Sequence, residues 1–212
     1  MKINFQILEN DQQINKAVMS ALLPEVISFM NNAISTIKRE LPDVLQNAIM
    51  NTPEYSSLLN GKLKYEFGIP DSNTKLSGLI NTWIDNIRYP YMKPTIVGNK
   101  IKSTFEANAI RVDFAEVLYS DDALVIDTIR GYNLPWLEWL LLEGNKTIIS
   151  KQEVVIGPNK FSRTGNALMR NSNKSWKVPS EFSGTITDNW ITRAIDGVEG
   201  NIQSLLDRAF SL

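Results

Sequence analysis

Residues 14–49, INKAVMSALLPEVISFMNNAISTIKRELPDVLQNAI, carry the longest periodic pattern in the chain and decide how its first quarter folds. Pro24 lies inside the run and lacks the amide donor that a helix interior uses, so we expect a kink or a break there. Pro42 suits the first turn of a further helical piece. The pattern predicts a helical arm over residues 1–50. Its apolar residues recur at steps of three and four, as on one face of a helix: Val18, Leu22, Val26, Phe29, Ile34, Ile37 and Leu41, then Val44, Leu45, Ala48 and Ile49.

Local signals divide the rest of the chain into short helices and strands. Thr52 and Pro53 are typical of a helix start, and Asn60-Gly61 of a helix end. Alternation of apolar and charged residues over 62–67 predicts a half-buried strand. At the N-terminus, Ile3, Phe5 and Ile7 predict a short strand or an extended arm. The remaining expectations are a connector at 89–94, strands at 95–114, 124–126 and 147–156, and helices at 53–60, 70–87, 134–142 and from an Asp188 cap to Phe210.

The order of these elements predicts the fold class. Helices at both ends with strands between them indicate an α+β protein with a mostly antiparallel sheet. The chain has 212 residues, of which 43% are hydrophobic, enough for one domain with a real core. We expect a single domain, 1–212, in which a long or broken N-terminal helix packs on a small antiparallel sheet. A C-terminal helix and extended loops complete it, with an extended loop or hairpin at 157–184.

Composition excludes several kinds of chemistry. The sequence contains no cysteine and no histidine, so disulfides, thiolate nucleophiles, Ser-His-Asp triads and histidine-ligated metals are all ruled out. An enzyme that uses carboxylates or lysine remains as an alternative. The net charge of −1 argues against a generally basic nucleic-acid binder. Residues 1–5 lack the long apolar core of a signal peptide, and we expect a soluble protein without a membrane span.

Residues 151–177 are rich in cations. Glu153 alone opposes them, and two interpretations stay open: a solvated loop, or a basic surface facing phosphates or an acidic partner. Trp176 lies in the same polar segment and must pack on something, which favours a contact with a neighbouring subunit. The candidate subunit or partner contacts are therefore Trp176, Arg163, Arg170, Lys174 and Lys177, and we favour a protein partner over DNA. The cations are Lys151, Lys160, Arg163, Arg170, Lys174 and Lys177.

Carboxylate pairs invite an acid–base interpretation. Asp121 and Asp122 lie together in an expected turn, while Glu138 and Glu143 lie in or just after an apolar helix. None of them has metal-ligand companions in the sequence, so solvation is the better explanation. The sequence predicts no catalytic residue, no cofactor and no metal.

Several segments of the C-terminal half together resemble the neck and tail-completion proteins of tailed bacteriophages. The resemblance covers roughly residues 132–212 and depends on the order and spacing of its motifs. Those motifs are Leu134-Pro135-Trp136-Leu137-Glu138-Trp139-Leu140 with Gly144, Ser162-Arg163-Thr164-Gly165-Asn166-Ala167-Leu168-Met169, Trp176-Lys177-Val178-Pro179-Ser180-Glu181-Phe182-Ser183-Gly184-Thr185, and Asp188-Asn189-Trp190-Ile191-Thr192-Arg193-Ala194.

The resemblance implies a non-enzymatic virion protein that joins the portal vertex to the tail. Such connector, collar or tail-completion subunits form rings, here of six or twelve copies, and contact portal, adaptor or tail-terminator proteins. They touch channel DNA passively, bind no membrane, and are assembled in the host cytoplasm. The alternatives are an assembly chaperone or small binding module, and a carboxylate-dependent hydrolase.

Overall fold

The computed structural model describes residues 10–109, 114–127 and 131–211. The expected strand or arm at Ile3, Phe5 and Ile7 lies outside these residues. The described chain is a mixture of helix (51%) and strand (16%), with small antiparallel sheets, which confirms the α+β class. The helices are α1 (Asp11–Met50), α2 (Pro53–Asn60), α3 (Lys62–Phe67), α4 (Ser72–Asp85), α5 (Ala115–Leu118), α6 (Trp136–Leu141), α7 (Trp190–Asp196) and α8 (Glu199–Ala209).

Within the residues that the structure describes, six strands form three separate antiparallel pairs. The pairing β5–β6 aligns Gln152 with Asn171 and Ile156 with Ala167. In β1–β2, Val97 lies opposite Lys100, so the hairpin turns through Gly98-Asn99, within the stretch expected to be strand throughout. The strands are β1 (Tyr91–Val97), β2 (Lys100–Phe105), β3 (Val125–Asp127), β4 (Tyr132–Leu134), β5 (Gln152–Ile156) and β6 (Ala167–Asn171).

The chain divides into two compact units. The first unit comprises residues 1–41, 88–108 and 203–212, and the second comprises residues 42–87 and 109–202. In the first unit, buried residues of α1 include Ile34, Ile37 and Leu41, and Leu205 of α8 is also buried.

Helix α1 continues through both of its prolines. The expected break at Pro24 and the expected new start at Pro42 are therefore wrong, whereas a kink stays a prediction. Proline removes one backbone donor, which frees the carbonyl four residues earlier. For Pro24 that carbonyl belongs to Ser20, an exposed residue whose backbone water can reach. A single lost hydrogen bond does not end a helix of 40 residues.

The predicted strand at 62–67 is also wrong, because these residues form α3. Leu63 and Phe67 are both buried, and their separation of four residues fits a helical face as well as it fits alternation. Gly68 ends the helix with φ +67°, a left-handed conformation that glycine adopts without a steric penalty. Helix-forming Lys and Glu between the apolar residues decide the ambiguity.

The core of the second unit is built around aromatic rings. The ring of Phe67 lies 6.0 Å from Trp136, 6.5 Å from Trp139 and 5.6 Å from Trp176, measured between centroids. Tilted and edge-to-face pairs at these distances stabilise a core beyond their buried area. Trp136 and Trp139 of α6 therefore pack in the core of this unit.

Two glycines allow chain segments to touch in this unit. The Gly144 amide donates to the Gly184 carbonyl at 3.2 Å. A Cβ at Gly144 would come within 2.5 Å of the Gly184 nitrogen, and one at Gly184 within 2.5 Å of the Leu140 carbonyl. Backbone atoms do not give way easily, so both positions require glycine for close approach.

The single C-terminal helix expected from an Asp188 cap is corrected in two respects. Asn189 caps α7 instead, since its side chain accepts from the amides of Ile191 and Thr192 in a capping box. The helical residues also divide into α7 and α8, with the break at 197–198. Asp188 forms an ion pair with Arg193 at 2.8 Å.

Candidate interaction surfaces

Trp176, the expected subunit anchor, belongs to the chain's own core. Only 7% of its surface is exposed, and its ring packs against Phe67 and Trp139. Its backbone pairs with Ile149, and its indole Nε1 donates to Glu66 Oε2 at 3.2 Å. The expectation of an exposed anchor is therefore corrected. The polar neighbours in sequence point away, while the tryptophan itself turns inward.

Glu66 receives the Trp176 indole in a partly buried position. Burial raises the pKa of the Glu66 carboxyl, because desolvation penalises the charged form. The hydrogen bond from Trp176 and the charge of Lys62, whose Nζ lies 4.0 Å from Oε1, act in the opposite direction but do not cancel that effect. This arrangement links a titrating group to the aromatic core.

The structure pairs two cations of the predicted basic patch with the same carboxylate. Arg170 donates through Nε and Nη2 to Glu153 Oε1, at 3.1 and 3.0 Å, and Lys174 Nζ lies 3.0 Å from Glu153 Oε2. These hydrogen bonds, first from Lys174 and then from Arg170, lower the pKa of the Glu153 carboxyl. Two of the candidate cations therefore share one carboxylate across β5 and β6.

Arg163 fastens the β5–β6 connection to another part of the second unit. Its Nε donates to the Gly68 carbonyl at 3.2 Å, and its Nη1 lies 3.4 Å from Asp127 Oδ2. Lys177 remains exposed and forms no ion pair within the described part of the chain. Of the five candidate contact residues, it alone is an exposed cation without a carboxylate partner there.

The carboxylates singled out in the sequence do not converge on a site. Glu143 pairs with Lys146 at 2.7 Å, and Glu138 is exposed. Asp121 and Asp122 form a 3₁₀ turn whose backbone carbonyls accept from Lys75 and Trp136. Within residues 10–109, 114–127 and 131–211, no group of three or more Asp or Glu side chains is arranged to hold a metal ion. These groups serve the fold and the solvated surface.

A small cleft in the second unit offers no chemistry either. Its lining is wholly apolar, so it contains no nucleophile, acid or base. The lining residues are Leu45, Ile49, Trp83, Ile84, Ile87, Ala109, Ile191 and Ile195.

No known protein family, curated protein or solved structure matches this chain. The resemblance to phage neck proteins thus stays a prediction from the residues. The structure does place several of its motif residues in the core of the second unit, namely Trp136, Trp176, Asn189 and Trp190. These four motif residues therefore contribute to packing in this chain.

The first half of α1 carries an exposed apolar stripe. Ile14, Val18 and Leu22 follow one another at steps of four residues and are 41%, 47% and 47% exposed. Residues 11–30 contain only three charged side chains. We call this segment, residues 11–30, the α1 arm. The apolar stripe is visible in the sequence. Its exposure is not, because local periodicity does not indicate what the rest of the chain covers.

The α1 arm begins at a defined point. The Asn10 amide donates to Gln13 Oε1 at 2.8 Å, and the Gln13 amide donates to Asn10 Oδ1 at 2.9 Å. This reciprocal capping satisfies donors that a helix start otherwise leaves to water. The arm is therefore a built helix and not a frayed end.

Helix α1 also has the length and composition of a membrane span. One window of 18 residues reaches a mean hydropathy of 1.3, and 11% of that window is buried. A core helix or a signal sequence passes the same criterion. The expectation of a soluble protein without a membrane span stays a prediction.

Two further exposed features escape sequence reasoning. Phe161, in the β5–β6 connection, is 77% exposed, with Lys160 Nζ lying 5.1 Å from its ring centroid. The outward face of the β1–β2 hairpin carries lysines that form no ion pair among the described residues. The lysine face of the hairpin could have been found from the alternation at 100–105, which places Lys100 and Lys102 on one face.

Proposed function

We propose that this chain is a structural subunit of a tailed-bacteriophage neck, a connector, collar or tail-completion protein that forms a ring between portal and tail. The observation that carries the proposal is the exposed apolar stripe of the α1 arm. The resemblance over residues 132–212 supplies the phage assignment and the expected copy number of six or twelve.

An uncovered apolar helix needs a partner for physical reasons. Most helix stability in proteins comes from packing an apolar face against other parts of a structure. Covering the remaining exposed area of Ile14, Val18 and Leu22 contributes about 1 kcal/mol for each side chain. An arm that binds a neighbouring subunit gains both the burial and the helix stability.

A ring gives each subunit two different contact patches. Closed rings form through heterologous contacts, in which one patch of a subunit meets a different patch of the next. The α1 arm supplies one such patch, and the exposed Phe161 is a candidate for another. An assembly chaperone or binding module would use the same arm on a different protein.

A membrane surface is the second occupant that the apolar arm suggests. Helices that lie on anionic membranes carry Lys and Arg along their polar face. The α1 arm has a single lysine, Lys16, and no arginine. This composition favours a protein partner, and flotation with lipid vesicles tests the choice directly.

The proposal is tested on purified particles. We expect mass spectrometry to find the protein in mature virions, and reconstruction of the neck to place it in a closed ring of six or twelve copies. Its absence from mature particles would instead support an assembly factor that departs. Flotation of the purified protein with vesicles would contradict the protein-partner assignment.

A further inference from the structure

The β1–β2 hairpin separates its side chains into two faces. Tyr91, Ile96, Ile101 and Phe105 alternate onto one face and are half-buried. The ring of Tyr89 stacks on Phe105 at 6.4 Å, which holds this face against its own unit. The register directs the alternate residues Thr95, Val97, Lys100, Lys102 and Thr104 to the opposite, exposed face.

The outward face carries positive charge only. Lys100 and Lys102 lie opposite Val97 and Thr95, and all four residues are exposed. Lys93 is also exposed, at the register shift between Met92 and Thr95. None of the three lysines forms an ion pair with a residue that the structure describes.

The charge of this segment contrasts with the rest of the chain. Residues 88–108 contain four cations and one carboxylate, whereas the whole chain has a net charge of −1. The remaining residues therefore carry a net charge of −4. A local excess of this kind attracts polyanions even though the protein as a whole is slightly acidic.

We infer that the outward face of the β1–β2 hairpin binds the phosphate backbone of double-stranded nucleic acid without sequence preference. Lysine binds phosphate as a point charge, while protein–protein interfaces are depleted in lysine and enriched in arginine. Lys100 and Lys102 lie two residues apart on one strand, about 7 Å along it, so both can contact one backbone. A two-stranded ribbon also fits the major groove in width.

The hairpin itself is well suited to present these lysines. Gly98 has φ +62°, as the first central residue of a type II′ turn requires. Pro94 lies at the register shift, where a missing amide donor costs no ladder hydrogen bond. The inference is independent of the proposed ring, since it depends on this face alone.

The test measures binding of the full-length protein to a labelled duplex by fluorescence anisotropy across salt concentrations. Three phosphate contacts give a slope of log K against log salt of about −2.7, or about 40-fold weaker binding at about 200 mM than at about 50 mM. Lys100→Gln with Lys102→Gln leaves one contact, so the slope falls to about −0.9. Lys151→Gln with Lys177→Gln removes the same charge from exposed positions in the second unit, and we expect the wild-type slope.

Three results would overturn the inference. The first is no measurable binding at the lowest salt concentration. The second is an equal loss in both double variants, which would show a response to net charge alone. The third is displacement of the duplex by poly-glutamate at matched charge concentration, which would indicate an acidic protein partner. Unchanged melting of all variants by circular dichroism confirms that the fold is retained.

Discussion

Trp176 and the α1 arm differ in opposite ways from the burial that their local sequences suggest. Trp176 lies among Lys174, Ser175 and Lys177, a polar segment typical of an exposed contact, yet it is 7% exposed. The α1 arm carries an apolar stripe typical of a buried helix, yet Leu22 is 47% exposed. Local composition therefore does not tell which side of a segment meets a core.

The same contrast appears within α1 itself. Ile34, Ile37 and Leu41 continue the apolar pattern of the arm and are buried in the first unit. Periodicity is a property of one helix, whereas burial depends on what the rest of the chain brings to it. The part of the stripe that the chain does not cover is the part available to a partner.

The largest effect is expected at Trp176. Trp176→Ala should lower the free energy of unfolding by about 3–5 kcal/mol, because it removes a large core side chain and leaves a cavity. Denaturation by urea measures it, and Trp176→Phe should cost less because most of the ring volume is kept. A variant of wild-type stability with defective assembly would restore the anchor interpretation.

A matched pair within α1 sharpens the comparison between its buried and exposed parts. Ile37 is 1% exposed, so Ile37→Ala should cost about 2–5 kcal/mol of unfolding free energy. Leu22→Ala should cost less than about 1 kcal/mol in the monomer, since its side chain is already half in water. Equal losses at both positions would mean that the arm is covered by its own chain.

Charges on the arm test assembly without disturbing the core. The double variant Val18→Asp with Leu22→Asp should weaken association about tenfold or more for each residue, and each tenfold change corresponds to about 1.4 kcal/mol. The free energy of unfolding of the monomer should be unchanged. Ser20→Asp with Asn31→Asp adds the same charge about half a turn away on the helix and should assemble normally. Sedimentation velocity and particle yield give the comparison, and equal behaviour of the two double variants would refute a role for the stripe.

The smallest effect is expected in the pH dependence of stability. The pKa of Glu66 is raised in the folded state, so the folded protein holds this proton more tightly than the unfolded chain does. Stability contributed by Glu66 is therefore full below its unfolded pKa and is lost as pH rises through the folded pKa. Glu66→Gln should remove that loss. The measurement is the urea midpoint of unfolding for the variant and for the wild type at a series of pH values. A difference that grows in the opposite direction would contradict a raised pKa.

Much of the fold could be predicted from local signals. The Thr52 cap, the Asn60-Gly61 stop and the apolar run of α6 each specify an element through chemistry within a few residues. The prediction of a strand at residues 62–67 was wrong, because four-residue spacing and alternation coincide over so short a run. By residue type, either Asp188 or Asn189 could cap this helix. The reciprocal hydrogen bonds with Thr192 that identify Asn189 as the cap are visible only in the structure.

The interaction surfaces were harder to predict because they depend on tertiary pairing. Glu153 neutralises Arg170 and Lys174 only because β5 and β6 align residues 153 and 170. Lys100 and Lys102, in contrast, lie opposite Val97 and Thr95 and have no carboxylate partner among the residues that the structure describes. Charge counted along the sequence therefore does not show which cations are paired with carboxylates.

We propose that the α1 arm joins this chain to a neighbouring subunit, and reconstruction of the neck in intact particles is the most direct test. We expect a closed ring in which Ile14, Val18 and Leu22 are covered by an adjacent subunit. A lone copy of the chain in the particle, or a ring whose α1 arms project into solvent, would contradict it.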